Sequence, residues 1–178
     1  MKRATSILSP LRGVLPLVAT ALFLFPAGCA HKEGDKTADQ HIREGDRYYA
    51  GTWVNRDLGK ALEEYRKAAD LGSSDACCRI GQCYESGLGV PKNDSLAAYW
   101  YAKGASQGNS EAQYGLGLDY ELGRGVPKND LLAYAWLNAA ASSGNEKARA
   151  RRDSLGIRMN SGDVIKAQKL SLSLIPRT

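Results

Sequence analysis

Apolar side chains recur every three or four residues through most of the chain, in short stretches separated by glycine and proline. In one stretch Ala76, Ile80 and Tyr84 follow at spacing four, which places them on one face of an α-helix. Glycines and a proline then end this helix, and a second apolar stripe runs from Ala97 to Tyr101. The pattern therefore predicts pairs of helices joined by short loops.

The same pattern returns with a period of 36 residues. Glycines, tyrosines and alanines align in three units that begin near His41, Cys77 and Gln113. Units two and three share the run Gly-Val-Pro-Lys-Asn-Asp, at 89–94 and again at 125–130. A fixed period of this length is typical of a stacked solenoid. We predict an all-α protein whose parts are three helical-hairpin repeats and a C-terminal cap, namely units 41–76, 77–112 and 113–148, and capping helices with a tail over 149–178.

One glycine lies inside the first helix of every unit, at Gly45, Gly81 and Gly117. A glycine destabilises a helix interior by about 1 kcal/mol relative to alanine. Its recurrence predicts that a neighbouring helix comes too close for a side chain. The tryptophans Trp100 and Trp136 are predicted to fill the contact with the following helices.

The first 28 residues have the organisation of an export signal. A basic start is followed by an apolar run over 14–25 and then by the small residues Ala27 and Gly28. The run is shorter than the about 20 apolar residues that a membrane-spanning helix needs. We predict that residues 1–28 form a signal peptide and that the polar residues 29–40 form a tether.

The sequence Ala27-Gly28-Cys29 resembles a bacterial lipobox, in which the cysteine becomes the lipid-modified first residue. The resemblance implies lipid attachment at Cys29. Ala30 stands in place of the aspartate associated with inner-membrane retention, which implies an outer-membrane lipoprotein facing the periplasm. Cleavage after Ala30 is the alternative, and it would give a soluble periplasmic or secreted protein.

The net charge of +5 includes Lys2, Arg3 and Arg12 of the predicted signal, and the remaining chain carries +2. The chain from Lys147 onward contains eight basic residues and only two acidic ones. We interpret this end as the solvated face of a capping helix, since no nucleic-acid motif accompanies it. No nucleic-acid partner is predicted.

The repeated residues resemble the Sel1-like repeat family, a branch of the tetratricopeptide-like helical hairpins. The matching positions are Ile80-Gly81, Tyr84, Gly89-Val90 and Trp100-Tyr101 in unit two, and Leu116-Gly117, Tyr120, Gly125-Val126 and Trp136 in unit three. The resemblance implies a right-handed α–α superhelix. Unit one departs from the pattern, with Glu44 in place of the core leucine and Trp53 in place of a glycine.

Three cysteines, Cys77, Cys78 and Cys83, fall within one predicted helix. Their spacing points the side chains in different directions, which disfavours a disulfide among them. We predict small packing residues, with an intermolecular bridge or a reactive thiol as the alternative.

Sequence motifs for catalysis or metal binding are absent. The chain has two histidines, His31 and His41, and lacks a nucleophile elbow, a metalloprotease helix and a phosphate-binding glycine loop. We predict no enzymatic activity, no metal and no cofactor. A weak hydrolase activity of the β-lactamase type, attributed to cysteine-rich relatives, is the third interpretation, although the disulfide in every repeat of those relatives is not present here.

The resemblance to tetratricopeptide-like stacks implies a binding strip on the concave face, formed by first-helix side chains just off the apolar stripe. Carried over by position, the strip comprises Ile42, Asp46, Tyr49, Cys78, Gln82, Glu85, Tyr114, Leu118 and Glu121. Its mixed polar and apolar character suits an extended peptide or a helix of a partner protein. We predict an exported binding scaffold, with a structural role in an envelope or polysaccharide-export complex as the alternative.

Overall fold

The computed structural model describes residues 36–174, which form eight α-helices and no strand. In chain order these are α1 (Ala38–Ala50), α2 (Leu58–Asp70), α3 (Ser74–Ser86), α4 (Asp94–Ser106), α5 (Ser110–Leu122), α6 (Asp130–Ser142), α7 (Glu146–Arg158) and α8 (Ser161–Leu174). The helices α1, α3, α5 and α7 begin 36 residues apart. The predicted all-α superhelix of three hairpins with closing helices is confirmed.

The predicted signal peptide, Cys29 and most of the predicted tether lie outside the described residues, as does the tail over 175–178. Helix α1 begins at Ala38, so the last three residues of the predicted tether are helical. Thr37 starts this helix because its side chain accepts a hydrogen bond from Gln40 N–H, while the Gln40 side chain accepts one from Thr37 N–H. Between residues 36 and 174, no helix combines the length and apolarity needed to cross a bilayer.

The hairpins begin and end their helices with equivalent residues. The side chains that cap the second helices, each accepting an N–H from three residues further on, belong to Asp57, Asn93 and Asn129. Each such cap contributes about 1 kcal/mol to helix stability. The first helices end at glycines in the left-handed conformation, Gly51, Gly87 and Gly123. A terminal glycine and an Asp or Asn cap thus bound the loop between the two helices of every hairpin.

The glycines inside the first helices allow the second helices to approach closely. A Cβ atom on Gly81 would lie 2.7 Å from two ring atoms of Tyr101, and one on Gly45 would lie 2.5 Å from the Tyr65 ring. In the third hairpin the side chain of Leu137 occupies the same place beside Gly117. The predicted close approach is therefore confirmed, and an aromatic ring fills the space in two of the three hairpins.

Apolar contacts form three clusters of buried side chains along the stack, and Tyr84 and Tyr120 each pack against two of them. Ile80 and Leu116 are almost fully buried in these clusters. Trp100 packs against the core shared by the first and second hairpins, and Trp136 against the core shared by the second and third. The predicted contact of these tryptophans with the following helices was wrong, because Ala97, Tyr101 and Ala105 already fill the contact between α4 and α5.

The last two helices close the C-terminal end of the stack. Helix α7 packs on α6 in the way that the first helix of a fourth hairpin would. Helix α8 packs mainly against α6. Leu155 of α7 and Ala167 of α8 are fully buried against this hairpin. The Asn138 amide donates a 2.8 Å hydrogen bond to the buried Ser171 hydroxyl, which satisfies both groups.

Candidate binding surface

The first helices of the hairpins line the inner side of the stack. Helices α3 and α5 contact each other directly, whereas no contact of comparable extent joins the second helices α4 and α6. In the second and third hairpins the first helices are therefore more closely spaced than the second helices. We call the exposed surface of the first helices the inner face. All nine predicted binding residues lie in first helices, although Cys78 and Glu121 are buried there: Ile42, Asp46, Tyr49, Cys78, Gln82, Glu85, Tyr114, Leu118 and Glu121.

Each predicted carboxylate of the inner face is bound by an arginine from further along the chain. The nitrogen-to-oxygen distances are 3.0 Å for Arg79 and Asp46, 2.7 Å for Arg124 and Glu85, and 2.6 Å for Arg151 and Glu121. Arg158 also binds Glu121, which is 4% exposed. Because these pairs join α1 to α3, the second hairpin to the third and α5 to α7, the predicted acids connect neighbouring units. An approaching partner meets carboxylates that are already neutralised.

Two tyrosine hydroxyls support these ion pairs from beneath. The Tyr65 hydroxyl donates to Asp46 at 2.7 Å, and the Tyr101 hydroxyl donates to Glu85 at 2.6 Å. Burial raises the pKa of both tyrosines, and the neighbouring carboxylates raise it further. The hydroxyls therefore stay protonated and remain donors. The glycine and tyrosine pairs that bring the helices together thus also orient the inner-face acids.

A further carboxylate, which the sequence did not single out, lies beneath the inner face. Asp119 is 2% exposed, and its Oδ1 is 3.1 Å from Arg124 Nη2. Its Oδ2 is buried with no hydrogen-bond partner among the described residues. Burial raises the pKa of Asp119 to about 7; Arg124 opposes this rise, while Glu85 and Asp94 add to it. Asp119 therefore titrates near neutral pH.

A cavity of about 310 Å³ opens on the inner face between α3 and α5. Its lining residues are Asp75, Cys78, Arg79, Gln82, Asn109 and Glu111. The Asn109 amide donates to Asp75, at 2.5 Å. A smaller cavity of about 90 Å³ lies against Tyr49 and Tyr65 and shares Arg79 and Gln82 with the first. The exposed Gln82 side chain therefore stands between two depressions on the inner face.

The apolar members of the predicted strip differ in how much they offer a partner. Ile42 and Tyr114 are half-buried and pack against the hydrophobic core. Leu118 is half-buried as well. Tyr49 is 39% exposed, with the Arg56 guanidinium 5.8 Å from its ring centroid. Tyr49 is therefore the apolar member of the strip most open to contact, and it shares the smaller cavity with Gln82.

The three cysteines of α3 are free and buried. Burial raises the pKa of all three thiols, that of Cys78 to about 12. A thiol is nucleophilic only as its thiolate, so these side chains are unreactive at neutral pH. Cys78, which is 5% exposed, forms part of the cavity wall as a small apolar group.

Sequence reasoning missed the arginines that bind the inner-face acids. The repeat alignment holds part of the signal, since Arg79 and Arg151 occupy equivalent positions two periods apart. In the intervening unit this position is Gly115, and Arg124 from the loop after α5 supplies the cation instead. Asp119 carries no comparable signal, because its burial depends on how α5 meets the preceding hairpin.

Stacked helical hairpins with a first-helix inner face define the chain as an α-solenoid scaffold. The pattern of the Sel1 repeat matches residues 45–73, 74–109 and 110–145. These matches cover more than half of the chain, and the protein belongs to the Sel1 repeat family.

Solved structures of bacterial proteins share this fold. A Sel1 repeat protein from Oxalobacter formigenes is 36% identical, with a TM-score of 0.61, over 66% of this chain and 88% of that one. A protective antigen of uropathogenic Escherichia coli strains, which displays an SLR fold, is 30% identical with a TM-score of 0.65, over 76% of this chain and 30% of that one. Cysteine rich protein B of Helicobacter pylori is 25% identical with a TM-score of 0.52, over 66% of this chain and 98% of that one. The curated proteins contain no match to this chain.

Proposed function

We propose that the protein is an exported, lipid-anchored scaffold whose inner face binds an extended peptide or a helix of a partner protein. The observation that carries this proposal is the pair of cavities on either side of Gln82, between first helices of adjacent units. Tyr49 adds apolar surface to the smaller cavity, and Cys78 adds apolar surface to the larger one. A strip of this composition suits one partner segment that crosses several units.

The ion pairs between units favour binding by holding the inner face in a fixed shape. Arg79, Arg124 and Arg151 each connect one unit to an acid of a preceding unit. A surface that is already ordered loses little conformational entropy when a partner binds. The same acids are neutralised, so selectivity in this proposal comes from shape and from the amide of Gln82 rather than from net charge.

Site-specific photo-crosslinking in cells tests the binding surface. A photoreactive amino acid replaces Gln82 or Leu118 on the inner face, and Tyr99 on α4 serves as the control because it is 60% exposed on a second helix. We expect one crosslinked product of the same partner from both inner-face positions and none from Tyr99. Equal crosslinking from Tyr99, or none from either inner-face position, would contradict the proposal.

The lipid anchor is tested by the mass of the mature N-terminus. A diacylated or triacylated peptide beginning at Cys29 supports the anchor, and Cys29→Ala should then release the protein from membranes. A mature chain that begins at His31 would show cleavage after Ala30, and the protein would be soluble.

A rigid spacer in an envelope complex is the second candidate, and the inter-unit ion pairs favour it. In that case the length of the stack matters and the inner face does not. Deleting one 36-residue unit would then impair assembly, while the replacement of Gln82 would not.

A further inference from the structure

The first unit carries an exposed tryptophan where the other units have glycine. Trp53 is 92% exposed, and its φ of 63° lies in the left-handed region that side chains other than glycine rarely adopt. The equivalent residues, Gly89 and Gly125, have φ of 75° and 68°. A bulky side chain in this conformation is strained and here buries almost no surface. Trp53 therefore contributes nothing to the fold that would offset its strain.

The position of Trp53 marks the N-terminal end of the stack. In the second hairpin, a Cβ on Gly89 would overlap the carbonyl of Leu58 in the first hairpin. In the third, a Cβ on Gly125 would overlap the carbonyl of Asp94 in the second. This loop position therefore faces the preceding unit, and Trp53 faces the space in which a preceding unit would lie. An indole there blocks further stacking in the same register, including the end-to-end stacking of a second copy.

Three basic side chains line a depression at this end of the stack. A shallow depression of about 360 Å³ is lined by Lys36, Gln40, Arg43, Glu44 and Arg47. Lys36 binds Glu44, whereas Arg43 and Arg47 form no ion pair with any residue in 36–174. Val54, next to Trp53, borders the same region beside Arg47. A tryptophan beside uncompensated arginines matches the boundary between anionic headgroups and acyl chains.

The chain length also brings this end close to a bilayer. Nine residue steps separate Cys29 from Ala38, the first residue of α1. At about 3.5 Å for each extended residue, the N-terminal end of the stack stays within roughly 30 Å of a lipid attached at Cys29.

We infer that the N-terminal end of the stack docks on the lipid surface that carries the anchor, with the Trp53 indole placed at the headgroup boundary and Arg43 and Arg47 over anionic headgroups. This inference rests on the proposed lipid anchor. Docking sets the orientation of the stack, because one end lies on the bilayer and the inner face is open to the side.

Quenching of tryptophan fluorescence by brominated lipid tests the docking. The mature lipoprotein is reconstituted into vesicles of phosphatidylethanolamine and phosphatidylglycerol, with bromine on the acyl chains of one set. The variant Trp53→Phe emits only from Trp100 and Trp136. The difference between its emission and that of the original chain is the Trp53 component. We expect brominated chains to quench most of the Trp53 component and little of the rest.

A matched control places a tryptophan at the opposite end of the stack. Ile157, near the end of α7, is 87% exposed. In the Trp53→Phe background, Ile157→Trp should give an unquenched emission. Protein that floats with the vesicles while its Trp53 component is unquenched overturns the docking and leaves the anchor standing. Protein that fails to float overturns the anchor, and the docking with it.

Discussion

Arg124 binds Glu85 of the preceding unit at 2.7 Å and the buried Asp119 of its own unit at 3.1 Å. One guanidinium thus compensates two carboxylates, and the side chains of Arg124 and Glu85 are each 30% exposed. The inner face of the second and third hairpins depends on this arginine. Glu85, which was predicted as a binding group, thus joins two units, as Asp46 and Glu121 do through Arg79 and Arg151.

Replacement of Arg124 should therefore destabilise the fold. Arg124→Leu leaves Asp119 buried without a cation, and we expect the free energy of unfolding to fall by about 2 kcal/mol. Chemical denaturation followed by circular dichroism measures the change. Lys128→Leu is the control, because Lys128 is exposed and lies 3.9 Å from Asp130. Equal stability of the Arg124 and Lys128 variants would show that the buried cluster contributes nothing.

The stability of the protein should depend on pH through Asp119. Burial raises the pKa of Asp119 to about 7 from an ordinary 3.8. Between these values the folded protein holds a proton that the unfolded chain releases, so the free energy of unfolding falls as the pH rises through this window. From pH 5 to pH 8 the loss due to Asp119 is about 2 to 3 kcal/mol.

Asp119→Asn removes this titrating carboxyl group. A comparison of the variant with the original chain therefore separates the contribution of Asp119 from those of the other titrating groups. Thermal unfolding at pH 5 and pH 8 should show a smaller loss of stability in the variant than in the original chain. If both proteins lose the same stability between these pH values, Asp119 does not titrate in the window.

A pair of glycine substitutions tests the close approach of the helices. Gly81→Ala places a methyl group 2.7 Å from the Tyr101 ring, and we expect a loss of about 1 to 3 kcal/mol. Gly59→Ala is the matched control, since Gly59 is an exposed helical residue whose nearest neighbour, Asp57 Oδ1, is 3.4 Å from an added Cβ. That substitution should raise stability by about 0.5 kcal/mol. A neutral Gly81→Ala would mean that the ring moves aside without cost.

The sequence predicted the features that depend on local pattern. The hairpin positions and the close approach at Gly81 both follow from spacing within one unit. The departure at Trp53 was visible because it breaks the period. The exposure of Trp53 could not be predicted, since it depends on whether another unit lies against this residue.

Features that depend on the register between units could not be read from the chain. The partner of Glu121 is 30 residues away at Arg151, and that of Glu85 is 39 residues away at Arg124. An arginine side chain is long enough to reach several acids, and the packing of the hairpins determines which of them it binds. For the same reason Glu121, predicted as part of a binding strip, is buried in an ion pair.

The central claim, that the inner face binds a partner segment, is tested most directly by calorimetric titration of the crosslinked partner peptide. Gln82→Trp fills the two cavities beside Gln82, and it should raise the Kd at least about tenfold, which corresponds to about 1.4 kcal/mol. Tyr99→Ala, on the exposed surface of α4, should leave the Kd unchanged. Binding that is unaffected by Gln82→Trp, or lost equally in Tyr99→Ala, would contradict the account.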